Sequence, residues 1–526
     1  MSRGAGSRTP LPLALAASVV VAGLLLPLAY LVARVAGGGR ALEILAESAT
    51  WRLVGTTALL ACGVVLAAVL VAVPLAWLVT STDLPGRRLW AAAGAVPLVI
   101  PSYVAAFCLL GFFGERGLLA GALGVERLPD VRGYWGALLA LTLATYPYVF
   151  LLSRAALADL DPALQDAARG LGSGERGVFL RVTVPALRPA VGLGSLLVVL
   201  YTLSDFGVVS LMNYDTLTRA IYLQYKSLFD RAPAAVLALV LVSLTAVALV
   251  LEYRTRRRGR AYRSGPGARR QPSPVALGRW TAPALAYCAL VTGLFLALPA
   301  GVLGYWLVRG VRNERELALP WSEALHSLTA SGLAAAAVVL AALPVALLAL
   351  RYPSPFSRTL ERLSYAGNAL PGLVIALSLV FFAARYGGVV YQTLALLVFA
   401  YAVRFFPQGL SGVESALERV SPRYEEAARG LGRGQLATLA LVTVPLARSG
   451  VLAGAALVFL SAMKELPATL LLRPIGFDTL ATEIWKLTQV GAYSQAALPA
   501  LALVAVSAPV LYLLSPDRRF ESGHPG

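Results

Sequence analysis

Histidine, cysteine, lysine and charge of either sign are all scarce in this chain of 526 residues. The two histidines are His326 and His524, and the second sits in a polar tail. The three cysteines, Cys62, Cys108 and Cys288, lie in long apolar runs. No Cys/His cluster for zinc, haem or iron–sulfur can be assembled from them, and no metal ligand is assigned. The cysteines read as small buried apolar residues, not as a disulfide framework. No Ser–His–Asp or Cys–His set can be placed either, so no catalytic residue is assigned. The chain has no Gly-Lys pair, which excludes a Walker A loop for ATP phosphates. Gly172-Ser173-Gly174-Glu175-Arg176-Gly177 satisfies G-x-G-x-x-G. It follows an apolar span and a short helix instead of a strand, so the dinucleotide reading fails its context test.

Only 14% of the residues are charged, against about 25% in an ordinary globular protein. The apolar share is 58%, more than a soluble fold of this size could hide. An integral membrane protein is therefore expected. The net charge of +18 comes almost wholly from arginine, since the lysines are only Lys226, Lys464 and Lys486. In a soluble protein this excess would suggest nucleic acid; here basic loops beside a bilayer account for it.

A membrane helix needs roughly 20 apolar residues. Runs of that kind occupy 9–33, 53–81, 89–114, 133–153, 189–211, 232–251, 280–308, 324–350, 363–384, 386–403, 449–472 and 487–515. They are too long for barrel strands, which need about ten alternating residues. The expected fold is all-α, with about twelve transmembrane helices. The first run follows Arg3 and Arg8 but exceeds the apolar core of a signal peptide, so it reads as a retained span. With the N-terminus inside, the inside segments hold 29 Arg/Lys and the outside segments 15, with Lys464 within a run. That bias places both termini on the cytoplasmic side. The densest basic block runs from Arg254 to Arg270 and reads as a cytoplasmic linker, 254–275, between halves at 1–253 and 276–526. A solvated tether near anionic lipid explains it better than a nucleic-acid site.

An internal repeat organises the chain. DPALQDAARGLGSGERGVFLRVTVPALRP at 161–189 aligns with SPRYEEAARGLGRGQLATLALVTVPLARS at 421–449, with thirteen of twenty-nine positions identical at an offset of 260. The same offset pairs Tyr146-Pro147 with Phe406-Pro407, and Asp205 with Glu465. An offset of 270 pairs Pro74 with Pro344 and Pro101 with Pro371. Six spans per half make the repeats parallel, not inverted. Each repeated loop follows a fourth span. Asp161 or Ser421 can cap a short helix whose first position is proline. Glycines at 170–172 and 430–432 should stop it. A second short helix should then run to Pro185 or Pro445.

These loops resemble the signature E-A-A-x3-G-x9-I-x-L-P of permease subunits of binding-protein-dependent ABC importers. Glu426-Ala427-Ala428, Gly430, Gly432, Val442, Val444 and Pro445 carry it once. Asp166-Ala167-Ala168, Gly170, Gly172, Val182, Val184 and Pro185 carry it again, with Asp in place of Glu. The resemblance covers essentially the whole chain and implies a type I ABC importer permease fold. It implies that each loop is a coupling helix docked on an ATP-binding subunit. ATP and Mg²⁺ would then sit on two separate ATPase subunits, and this chain would bind no cofactor. It further implies a solute-binding protein outside and a prokaryotic inner membrane.

Asp205 lies deep in an apolar run, and its repeat partner Glu465 follows Lys464. Charges there usually face a bundle interior or an aqueous cavity, so Asp205, Lys464 and Glu465 are candidates for a translocation path or gate. Two structural alternatives stand beside this reading: Glu465 could neutralise Lys464, and Asp205 could bond nearby backbone. The stretch from Lys464 through Pro474 to Leu480 resembles the second half of ferric-iron permeases. The fused layout is similar to ferric-iron and thiamine permeases alike. Ferric iron is the first expectation. A thiamine, phosphonate or polyamine permease is the alternative within the class, and an ion-coupled secondary transporter the alternative outside it.

Overall fold

The computed structural model describes residues 10–115, 117–226, 232–257, 274–312 and 319–514. Most of the basic linker, His524 and both chain ends lie outside the described residues. Among those described, every regular element is helical, and the only extended pairing is a bridge between Thr82 and Val275. Helices suit a chain this apolar, because each satisfies its backbone groups internally where no water can.

The first half contributes Leu11–Gly37, Ser48–Ser81, Ser102–Phe113, Tyr134–Ala158, Val184–Ser204 and Ala232–Arg257. The second half repeats the order. Thr281–Thr292 runs through a π-turn into Leu298–Arg312, followed by Trp321–Arg351, Gly372–Tyr386, Leu394–Glu418, Val444–Met463 and Tyr493–Leu514. Ten described helices are long and apolar enough to cross a membrane alone. An eleventh qualifies as a pair, Pro355–Gly367 and Gly372–Tyr386, bent by 99°. The last helix offers the shorter apolar stretch Tyr493–Ser507.

Six expected spans change shape. The run at 449–472 stops at Met463 and resumes as Pro467–Leu472, and the run at 487–515 is interrupted between Gln489 and Tyr493. The run at 89–114 is not one helix: Arg87–Ala95 and a 3-10 turn, Val96–Val99, precede a break at Pro101. The run at 363–384 breaks in the same way at Pro371. Proline supplies no N–H and pushes its predecessor out of the helical region; Ile100 and Leu370 accordingly have ψ of 120° and 107°. The run at 386–403 starts late, at Leu394, and continues through Arg404 to Glu418. The run at 189–211 stops at Ser204, and Asp205 stands in a break before Gly207–Leu211.

Within each half the second, fourth and fifth spans pack on one another. The first span of each half crosses to the other half. Tyr30 on Leu11–Gly37 donates to the Phe381 carbonyl at 3.2 Å, and Arg34 lies 3.9 Å over the Phe381 ring. Reciprocally, Tyr287 on Thr281–Thr292 donates to the Val71 carbonyl at 2.7 Å. The halves therefore interlock. Leu15, Val19, Leu66, Leu70 and Leu452 remain exposed on the outside of the bundle, which suits a surface bathed in lipid.

Candidate coupling loops and translocation site

The two repeated loops fold alike. Asp161 accepts from the Ala163 N–H at 2.9 Å and starts Pro162–Gly170; Ser421 accepts from the Arg423 N–H at 3.4 Å and starts Pro422–Gly430. Both helices end on a left-handed glycine, Gly172 or Gly432, each at φ +83°. Gly172 donates to Arg169 O at 2.9 Å and Gly432 to Arg429 O at 3.0 Å, closing the last turn. The next turn is exposed apolar surface, with Leu171 at 88% and Leu431 at 86%. Asp166, Ala167, Glu426 and Ala427 are exposed, and Ala428 is buried.

The second helix of each loop does not end at its proline. Glu175–Val178 runs through a π-turn, Phe179–Thr183, into Val184–Ser204; Gln435–Thr438 runs through Leu439–Thr443 into Val444–Met463. The wider turn lies directly ahead of Pro185 and Pro445, whose missing N–H would interrupt a regular helix there. Loop and fifth span are thus one continuous lever in each half.

The membrane charges converge where the broken helices meet. Asp205 Oδ2 accepts from Ser102 Oγ at 2.6 Å, and Oδ1 accepts from the Val208 N–H at 2.9 Å. Glu465 Oε1 accepts from the Ala468 N–H at 3.2 Å. Each carboxylate caps the short helix that follows its break. The hydroxyls of Thr218 and Thr469 donate to the carbonyls of Asp205 and Glu465 at 2.7 and 2.6 Å. Glu465 does not neutralise Lys464. Its Oε2 lies 2.9 Å from Arg404 Nε, an ion pair without hydrogen-bond alignment. Lys464 instead donates to the Leu98 carbonyl at 2.9 Å, across the boundary between halves. Space here is tight. A Cβ on Gly372 would meet both Arg404 Nη1 and Glu465 Oε1 at 2.6 Å, and one on Gly207 would meet Tyr103 Cβ at 2.8 Å. Asp205 and Glu465 are both buried.

The profile of the family described as binding-protein-dependent transport system inner membrane component matches residues 72–260 and again 338–519. The chain belongs to this family. It is a multi-pass inner-membrane transport component, built from two tandem copies of the family's domain. It is 32% identical over 515 residues to the Fe(3+)-transport system permease protein FbpB 2 of Haemophilus influenzae, covering 96% of this chain and 98% of that one. It is 23% identical to the ferric transport system permease protein FbpB of Actinobacillus pleuropneumoniae, over 79% of this chain and 64% of the relative. It is also 31% identical to the molybdenum transport system permease protein ModB of Escherichia coli, over 34% of this chain and 80% of the relative.

Sequence reading missed three residues of this transport component. Arg404 lies just beyond the expected run at 386–403, inside the helix Leu394–Glu418, where it pairs with Glu465. Arg351 closes the eighth span and pairs with Glu425, one residue before the signature Glu426. Glu425 also accepts from Thr443 Oγ1 at 3.2 Å, as Gln165 donates to Thr183 Oγ1 at 3.4 Å in the other half. The repeat alignment sets Gln165 opposite Glu425 and Thr183 opposite Thr443, a signal that was available.

Proposed function

We propose that this chain is the permease subunit of an ATP-driven importer that takes ferric iron from an external solute-binding protein. The observation that carries the reading is the 32% identity to a ferric-iron permease across nearly the full length of both chains. The duplicated loops support the ATP-driven part. Two helices with exposed leucine tips, Leu171 and Leu431, rest on continuous levers into the membrane. Each would seat in one of two ATP-binding subunits, and those subunits would hold ATP and Mg²⁺. Asp166 and Glu426 would offer a carboxylate to donors in the docking groove. Closure of the ATPases would draw the loops together and rotate the halves as rigid bodies. The arginine excess on the loop side favours cytoplasmic termini and loops.

In this scheme Asp205, Glu465, Lys464 and Arg404 form the closed gate, and the external protein selects the ligand. Co-purification with the ATP-binding subunits, followed by uptake of radiolabelled ferric iron in proteoliposomes, tests the reading. ATP-dependent uptake that needs both partners supports it. Transport by the chain alone, driven by an ion gradient, would sink it. ATP-dependent uptake of molybdate or thiamine with no iron uptake would keep the class and overturn the substrate.

A further inference from the structure

A cavity of about 900 Å³ opens on the coupling-loop side of the first half. Arg87, Arg88, Arg154 and Arg169 line it, with no carboxylate among the described lining residues. Trp77 and Phe179 form an apolar wall, their rings 5.3 Å apart. Arg169 pairs with Asp166 at 3.0 Å. Arg154 is half-buried and, like Arg87 and Arg88, has no carboxylate partner among the described residues. The hydroxyl of Thr80, also in the lining, is shielded from solvent and has no hydrogen-bond partner among the described residues.

The other half is an internal control for what the fold requires. Arg154 aligns with Glu414, Ala91 with Glu361, Ala158 with Glu418 and Gln165 with Glu425. Ser81 aligns with Arg351 and Ala95 with Tyr365. In the second half two pairs among these positions bond: Arg351 to Glu425 at 3.0 Å and Tyr365 to Glu414 at 2.7 Å. The first half has replaced every acid, and two space-filling side chains have become Ser81 and Ala95. At these six positions four acids, an arginine and a tyrosine give way to one arginine and no acid. Arg87 and Arg88 are exposed and Arg154 is half-buried, and a concave site lined by one sign of charge attracts an anion.

We infer that this cavity is a binding site for a phosphate group carried on an apolar body. Guanidinium groups bind phosphate oxygens with paired, directional bonds. The volume is several times that of a phosphate ion and matches an ordinary ligand site, and Trp77 and Phe179 supply the apolar contact. A phospholipid headgroup and a soluble phosphate compound share this chemistry.

The test needs neither ATPase nor transported ligand, so its outcome is separate from that of the transport reading. The full-length permease is purified in detergent. Retention of dioleoyl phosphatidylglycerol against dioleoyl phosphatidylcholine is read by native mass spectrometry, and thermal stabilisation by inorganic pyrophosphate by melting. The wild type should retain one anionic probe at least about tenfold better than the zwitterionic lipid, the scale of one or two charge-assisted bonds. Arg154→Gln and Arg87→Ser should remove that preference, whereas Arg358→Gln, at the second-half counterpart of Arg88, should keep it. A lipid-only response names the membrane as the source, and a pyrophosphate-only response names a soluble ligand. The inference is overturned if the wild type discriminates in neither arm. It is equally overturned if Arg154→Gln and Arg87→Ser, eluting as monodisperse as the wild type, discriminate as well as the wild type does.

Discussion

Arg351 Nε lies 3.0 Å from Glu425 Oε1, and the same guanidinium donates to the carbonyls of Leu417 and Val420 at 3.3 and 3.1 Å. One side chain thus ties the end of the eighth span to the end of the tenth and to the loop helix Pro422–Gly430. Both partners are largely shielded, at 16% and 7% side-chain exposure. Removing one side of such a pair costs about 3–5 kcal/mol, because the other charge stays behind unpaired. Arg351→Gln and Glu425→Gln should each reduce ATP-dependent uptake and lower the melting temperature. The double variant should recover part of both losses. A double-mutant cycle on melting temperature and uptake measures this, and strict additivity would contradict a direct tie.

The left-handed glycines give a sharper test of the loops. Gly172 and Gly432 sit at φ +83° with open space around them. Alanine there pays roughly 1–2 kcal/mol of backbone strain without any clash. Gly172→Ala and Gly432→Ala should therefore weaken association with the ATPase subunits while leaving the membrane domain folded. Gly430→Ala lies in helical conformation, also in open space, and should bind as the wild type does. Pull-down of the ATPase subunits by each variant provides the comparison.

The repeat made the fold legible because its polar residues lie where hydrophobicity cannot imitate a match. The caps at Asp161 and Ser421 and the stops at Gly172 and Gly432 all fall where side-chain and glycine chemistry put them. The ends of several spans were harder to place. Arg404 looked like a boundary because sequence gives its charge but not its partner, which lies 61 residues on at Glu465. Asp205 looked like a residue inside a helix, since a helix break and a helix share the same apolar composition. The π-turns before Pro185 and Pro445 had no signal beyond the prolines themselves. The crossing of the first spans to opposite halves is a tertiary choice that periodicity does not encode.

Close helix contact in the second half predicts a stability effect independent of transport. A Cβ on Gly412 would meet the Cα of Gly454 at 2.6 Å, so the tenth and eleventh spans touch backbone to backbone. Valine there should overpack the contact and cost about 1–3 kcal/mol. Gly412→Val should lower the melting temperature in detergent by several degrees. Gly332→Ala, with nothing within 4 Å of the added carbon, should not. Equal melting of the two variants would mean that this contact does not constrain the bundle.

The residues of the proposed gate separate by what each loses as an amide. Asp205→Asn keeps one oxygen for the Val208 N–H and places an NH2 against Ser102 Oγ, which can reverse its role and accept, so both contacts can persist while the charge disappears. Glu465→Gln leaves the Arg404 guanidinium, only 20% exposed, without its counter-ion. A buried charge stripped of its partner is the costlier defect. Uptake should therefore fall modestly in Asp205→Asn and by about tenfold or more in Glu465→Gln, the scale of a lost charge partner. Arg404→Gln added to Glu465→Gln should restore folding but not full uptake, if the pair opens and closes during transport. Lys464→Gln should act differently: it removes a bond between halves, to the Leu98 carbonyl, and should raise ATP hydrolysis that is not coupled to uptake. Measuring uptake and hydrolysis on the same proteoliposomes distinguishes these outcomes. Wild-type uptake in both amide variants, at normal expression, would reduce the buried carboxylates to helix caps.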